Sequence, residues 1–159
     1  HSNGYSLVRK VLSANNVSLT EQKIQHKGQE VSIGEALLEP TRIYAKAVKE
    51  LQTKIEVKGM AHITGGGITE NLPRVLPDNT SAEIRLDSWE KPALFKFMQK
   101  HGNIQEKEML KTFNMGIGMI LVVSAEQKEA ALAALKEFGE SAYHLGQITE
   151  KKETAVVYQ

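Results

Sequence analysis

The feature that most restricts this chain is an apolar run that ends in three glycines, His62-Ile63-Thr64-Gly65-Gly66-Gly67. Val57 to Thr64 reads as a strand, apolar at Val57, Ala61 and Ile63, and the glycines stop it. Glycine accepts positive φ and lets the backbone come close to a ligand. Successive N–H groups can then converge on an anion. A helix that starts next adds its unpaired N–H groups to the same place. Such a helix is predicted around Asn71 to Leu76, with Pro73 in its first turn. Thr64 and Thr69 offer hydroxyls, and His62 offers a group that can donate or exchange a proton. On these residues alone, an anion-binding loop and a plain tight turn with a core histidine weigh equally. Two nucleotide loops are excluded. No Gly-Lys-Ser/Thr follows, and Ile68-Thr69-Glu70 supplies no third spaced glycine.

The rest of the chain alternates between helical and extended patterns. Leu7, Val8, Val11 and Leu12 form a helical stripe, with Ser2 and Asn3 as cap residues before it. Residues 15–31 are polar and read as an irregular excursion with room for a short strand. Pro40 and Thr41 are expected to open a second helix with Ile43, Ala47, Leu51 and Ile55 on one face. Ala82 to Leu86 alternates as a strand, Pro92 to His101 and Glu106 to Phe113 read as helices, and Ile117 to Val123 is the strongest buried strand. Ser124 and Gln127 have capping-box spacing before a helix that stops at Gly139. Two strands, in 141–149 and 154–158, close the chain. Interleaved helices and strands of this kind predict an α/β (α+β) sheet with helices packed on it, as one domain over 1–159.

Composition removes several classes of function. Basic and acidic residues number 20 and 19, for a net charge of +1, so bulk charge points to neither nucleic acid nor an anionic membrane. The longest apolar run, Met115 to Ala125, is too short to span a bilayer, which takes about 20 apolar residues. With no cysteine there are no disulfides or thiolate metal sites, which fits a cytoplasmic location. The histidines at 1, 26, 62, 101 and 144 form no HExxH pair, so no metal site is expected. The chain begins at His1, inside what reads as a functional loop, and is expected to be a fragment of something longer.

A second polar segment, His1-Ser2-Asn3-Gly4-Tyr5-Ser6, stands at a predicted helix start, where small donors favour an anion or a ribose hydroxyl. Ordinary capping explains Ser2 and Asn3 as well, and Arg9 reads as a surface arginine. Asn71 and Arg74 share a helical face, and Arg74 suits either a phosphate or a structural pair. Asn114 reads either as a cleft residue or as a turn residue. Gly116-Ile117-Gly118 reads as close packing at a strand start.

HSNGYSLVRK (1–10), LLEPTRIYAKAV (37–48), AHITGGGITENLPRVLP (61–77) and TFNMGIGMILVVS (112–124) occur in one order, and together they resemble the C-terminal half of the AIR synthetase (phosphoribosylformylglycinamidine cyclo-ligase) family. The resemblance covers nearly the whole chain. It implies a three-layer α/β/α sandwich, partly ferredoxin-like. It implies a ligase of purine biosynthesis that uses ATP to convert formylglycinamidine ribonucleotide to aminoimidazole ribonucleotide, releasing ADP and phosphate. ATP and Mg2+ are then bound mainly by an N-terminal half absent from this chain, and the full-length enzyme is a homodimer. The partners implied are that half and the phosphoribosyl substrate, with no nucleic acid and no membrane. Carried over by position, the substrate- and phosphate-binding residues are His1, Ser2, Asn3, Gly4, Thr64, Gly65, Gly66, Gly67, Asn71 and Arg74, with His62 as the catalytic group. The domain alone is expected to be folded but inactive. The alternatives are the corresponding half of a sister enzyme, of the formylglycinamide ribonucleotide amidotransferase or selenophosphate synthetase type, and a non-catalytic ligand-binding module.

Overall fold

A computed structural model describes residues 3–159. The chain is mixed α/β, as the interleaved patterns predict, and its strands fall into three small sheets. Helix α1 (Tyr5–Ala14) buries Val8, Val11 and Leu12, the i, i+3, i+4 stripe visible in the sequence. Its N-cap is Gly4 in a left-handed conformation, and no side chain caps it.

The polar excursion holds a hairpin. Strands β1 (Lys23–His26) and β2 (Gln29–Ser32) pair antiparallel. They are joined at Lys27 and Gly28, both at positive φ (50° and 79°), the conformation of a tight two-residue turn. Ser32 then starts α2 (Ile33–Leu37) through a capping box with Glu35. Helix α3 (Ala45–Gln52) begins later than Pro40 predicts. Residues 40–44 stay outside it because Arg42 is bound elsewhere, to Glu140 (2.8 Å) and to the Gly139 carbonyl (3.3 Å). Ala47, Leu51 and Ile55 are buried as expected, whereas Ile43 is 85% exposed.

Strand β3 (Gly59–His62) pairs antiparallel with β5 (Met119–Val122), with Ala61 opposite Ile120 and His62 opposite Met119. Ala61, Ile63 and Ile120 join the main core, with residues of α1, of α5 (Ala93–Gly102) and of α6 (Glu106–Thr112). On the other side, Leu121, Val57 and Val123 pack against Leu51 and Ile55 and against Ala131 and Ala134 of α7 (Lys128–Glu137). This pair of strands therefore lies between two helical layers, each holding an apolar cluster. Between β3 and the third sheet come α4 (Gly67–Asn71) and a 3-10 turn at Leu72–Val75 with Pro73 near its start. The third sheet has order β6-β4-β7. Strand β4 (Thr80–Ile84) is antiparallel to β6 (Gly146–Glu150) and parallel to β7 (Val156–Tyr158). Among the described residues, no helix is long and apolar enough to cross a membrane.

Candidate functional site

At the end of the β3–β5 pair where β3 leaves and β5 enters, the two polar loops meet. The Ile63 N–H donates to the Gly118 carbonyl (2.9 Å), which carries the pairing one step past β3 and fixes where Thr64 emerges. The Asn3 carboxamide oxygen lies 3.3 Å from the point where a Cβ on Gly65 would stand. Asn3, Ile63, Thr64, Phe95, Phe113 and Asn114 line one small pocket of about 10 Å³, the space of a single water. Every one of these side chains is uncharged. Segments distant in the sequence thus share one site. His1 and Ser2, expected beside Asn3, lie outside the described residues.

The three glycines do different work. Gly67 (φ +59°) faces α6, and a Cβ there would stand 2.0 Å from the Leu110 carbonyl oxygen and 2.7 Å from that of Phe113. Its lack of a side chain serves packing. Gly66 (φ +96°) is the left-handed N-cap of α4. Gly65 is exposed, takes no left-handed φ and meets only Asn3, so it is the glycine that leaves room for a ligand. Among the described residues, the N–H groups of Gly65 and Gly66 have no acceptor. Helix α4 is only five residues long, so the helix dipole expected to support an anion here is small.

Asn71, 5% exposed, closes the loop from within. Its amide nitrogen donates to the carbonyls of Gly67 (2.8 Å) and Gly65 (3.1 Å). Its oxygen accepts from the Thr64 hydroxyl (3.4 Å) and from the Arg74 guanidinium (3.2 Å). Arg74 is exposed. The spacing of Asn71 and Arg74 foretold their contact; the inward bonds of Asn71 left no such trace. Thr69 departs from expectation. Its hydroxyl bonds the Tyr158 phenol (2.7 Å) and donates to the Leu110 carbonyl (3.4 Å), so it is engaged outside the glycine loop. Burial raises the Tyr158 pKa, opposed by the hydrogen bond with Thr69.

His62 does not line the pocket. It is exposed on the opposite face of β3 from Ile63, and its ring stands edge-on to Tyr44 with centroids 6.0 Å apart. Burial, and secondarily the Glu140 carboxylate, raises the Tyr44 pKa, while Arg42 opposes the shift. Arg9 is exposed over the Tyr5 ring (6.0 Å), as a surface arginine.

Phe95 and Phe113 belong to the core. They pack there with ring centroids 5.5 Å apart, and they also wall the pocket. Gly4 needs its missing side chain for the same reason, since a Cβ would stand 2.3 Å from the Phe113 ring. Gly116 packs closely on Pro92 (2.6 Å from a built Cβ), as its place at a strand start suggested.

Comparison with known proteins fits this arrangement. The family model described as "AIR synthase related protein, C-terminal domain" matches residues 1–159. A protein of Chromobacterium violaceum named phosphoribosylformylglycinamidine cyclo-ligase is 51% identical over 152 residues, 96% of this chain and 43% of that protein. Proteins of the same name from Neisseria meningitidis serogroup C and Neisseria gonorrhoeae are each 49% identical over the same shares. The chain therefore spans less than half the length of these curated relatives. With residues 1–159 matched by the family model, the chain belongs to the AIR synthase related C-terminal domain family.

Proposed function

We propose that this chain is the substrate-binding half of the ATP-dependent cyclo-ligase that closes the imidazole ring of aminoimidazole ribonucleotide in purine biosynthesis. The observation that carries this reading is the meeting of Asn3 and Thr64 at one pocket, with Gly65 against the Asn3 carboxamide, in a chain whose relatives bear that enzyme's name. Ring closure joins a nitrogen of formylglycinamidine ribonucleotide to the carbon of its own formyl group. ATP activates the formyl oxygen, and phosphate leaves. Such a reaction gains most from holding the substrate folded, with its reacting atoms near contact. Loop N–H groups and carboxamides that are fixed in advance suit that task, because they need no reorganisation as charge develops. The Gly65 and Gly66 N–H groups and Asn3 supply them, and Asn71 holds the loop in shape. Gly4, Gly67 and Arg74 frame the site, with His1 and Ser2 adjoining it in sequence.

The pocket itself does not fit magnesium or a triphosphate. Its donors are two carboxamides and a hydroxyl, with no carboxylate for the metal and no cation for the phosphates. Mg2+ and ATP belong in this reading to the N-terminal half, which also carries the homodimer contact in the full-length cytoplasmic enzyme. His62 stands on the opposite strand face, against Tyr44, so a proton-transfer role for it requires that the substrate also reach that face.

The test uses the full-length enzyme with Gly65→Val. Gly65 has no left-handed φ, so a side chain there narrows the cleft without straining the backbone. The expected result is a fall in kcat/KM of roughly tenfold or more with little change in melting temperature, since a misplaced reactant is costly. A rate equal to wild type would remove this cleft from the reaction, and turnover by residues 1–159 alone would contradict the two-half reading.

A further inference from the structure

We propose that Asn114 is a substrate-positioning residue whose carboxamide N–H holds a neutral carbonyl-type oxygen of the ligand at the Asn3–Thr64 pocket; the inference rests on the reading of that cleft as the substrate site. Asn114 sits in a turn that over-determines its side chain. The Gly116 N–H donates to Asn114 Oδ1 (3.0 Å), and the Ile117 N–H donates to the Asn114 carbonyl (3.0 Å). A carboxamide whose oxygen accepts a backbone N–H has its orientation settled, because only the oxygen can accept. What Asn114 offers beyond the turn is therefore a pair of N–H donors, and among the described residues nothing accepts from them. Asn114 is also one of the six residues lining the pocket.

The turn is kept at a cost. Met115 takes φ +53°, a left-handed conformation that disfavours any residue with a Cβ by about 1–2 kcal/mol. Its side chain is buried, at 1% exposure, and the Trp89 indole N–H donates to its carbonyl (2.9 Å). Strain of this kind persists only where the surroundings enforce it. Here they hold the residue that follows Asn114 and so fix the direction of its amide.

The chemistry of the ligand atom follows from the lining. Phe95, Phe113 and Ile63 supply apolar walls, and Asn3, Thr64 and Asn114 supply neutral polar groups. A phosphate dianion placed there would lose its hydration with no cation to replace it. A formyl, amide or ribose oxygen needs only donors, and the space of a single water admits one such atom.

The experiment is Asn114→Asp, set beside Asn114→Ala, in the full-length enzyme. Aspartate keeps an oxygen to accept the Gly116 N–H, so the turn survives, but it replaces the N–H donors with an oxygen that repels a ligand oxygen. The expected outcome is a melting temperature close to wild type with kcat/KM reduced roughly 100-fold, the scale of losing one oriented donor. The ratio of variant to wild-type rate should also rise as pH falls, because a protonated aspartic acid regains a donor. Asn114→Ala should lose both stability and rate. An Asn114→Asp enzyme with wild-type rate would overturn the proposal and leave Asn114 a turn residue. If it melts as low as Asn114→Ala, the pH ratio decides: a rising ratio upholds the donor role and a flat one overturns it. Gly65→Val separates the two levels. Loss of rate there with wild-type Asn114→Asp sinks this inference alone; wild-type rates in both sink the reading of the cleft.

Discussion

The glycine loop at 64–71 and the segment at 38–44 both belong to blocks shared with the same family, yet the fold treats them in opposite ways. Asn71, inside the core, ties the glycine loop through two carbonyls and accepts from Thr64. The 38–44 segment leaves Leu38 82% and Ile43 85% exposed, with Arg42 bound to Glu140 and to the Gly139 carbonyl beside the end of α7. This pair, with Arg42 half-exposed and Glu140 largely covered, contributes on the order of 1 kcal/mol. The first region has its geometry built in by this domain. The second has its apolar side chains in water, and the domain spends little to place them. If the glycine loop binds a ligand as proposed, this rigidity serves it, because ordering a loop during binding subtracts from affinity.

Breaking the glycine loop should therefore be costly in the domain alone. The largest effect is expected for Gly67→Ala. Its φ of +59° disfavours alanine, and the new methyl would stand 2.0 Å from the Leu110 carbonyl oxygen, so α4 and α6 must separate. Left-handed strain and overpacking together come to about 3 kcal/mol or more. Thermal melts should show a drop of roughly 6–12 °C, given about 2–4 °C per kcal/mol at this size. A drop of a degree would mean that α6 is not packed on the loop as described. Asn71→Ala should come next, near 2 kcal/mol, because the buried Gly67 carbonyl and the part-buried Gly65 carbonyl lose their donor. Urea titration of the domain measures it. Asn71→Asp should not restore stability, since it is the amide nitrogen that ties Gly65 and Gly67.

The same contrast explains what the sequence disclosed. Helices α1, α5 and α7 were legible from apolar stripes at helical period, as with Val8, Val11 and Leu12 in α1, and strands β3 and β5 from short apolar runs; β4 was found from its alternation, but it starts two residues before Ala82 and buries both faces. The β1–β2 hairpin was not. Lys27 occupies a turn position where asparagine or aspartate is the usual signal, and β1 and β2 hold few buried side chains. The late start of α3 was also hidden, because Arg42 is held by Glu140, far along the chain. At the pocket, glycine marked a loop but not the separate tasks of Gly65, Gly66 and Gly67, which depend on where α6 and Asn3 lie. Thr69 of α4 and Tyr158 of β7 are paired, and no local pattern announces such a partner.

The smallest effect is expected for the double variant Leu38→Ser and Ile43→Ser. Both side chains are more than four-fifths exposed, so replacing them removes almost no buried apolar area. Surface substitutions of this type stay within about 0.5 kcal/mol. The domain should therefore melt within roughly 2 °C of wild type. A larger loss would show that the segment packs on the fold in solution, and the contrast with the glycine loop would fail. An unchanged melt, beside a large drop for Gly67→Ala, would place the rigidity of this domain at the loop that meets Asn3, because Ile43 would then contribute nothing that Gly67 does.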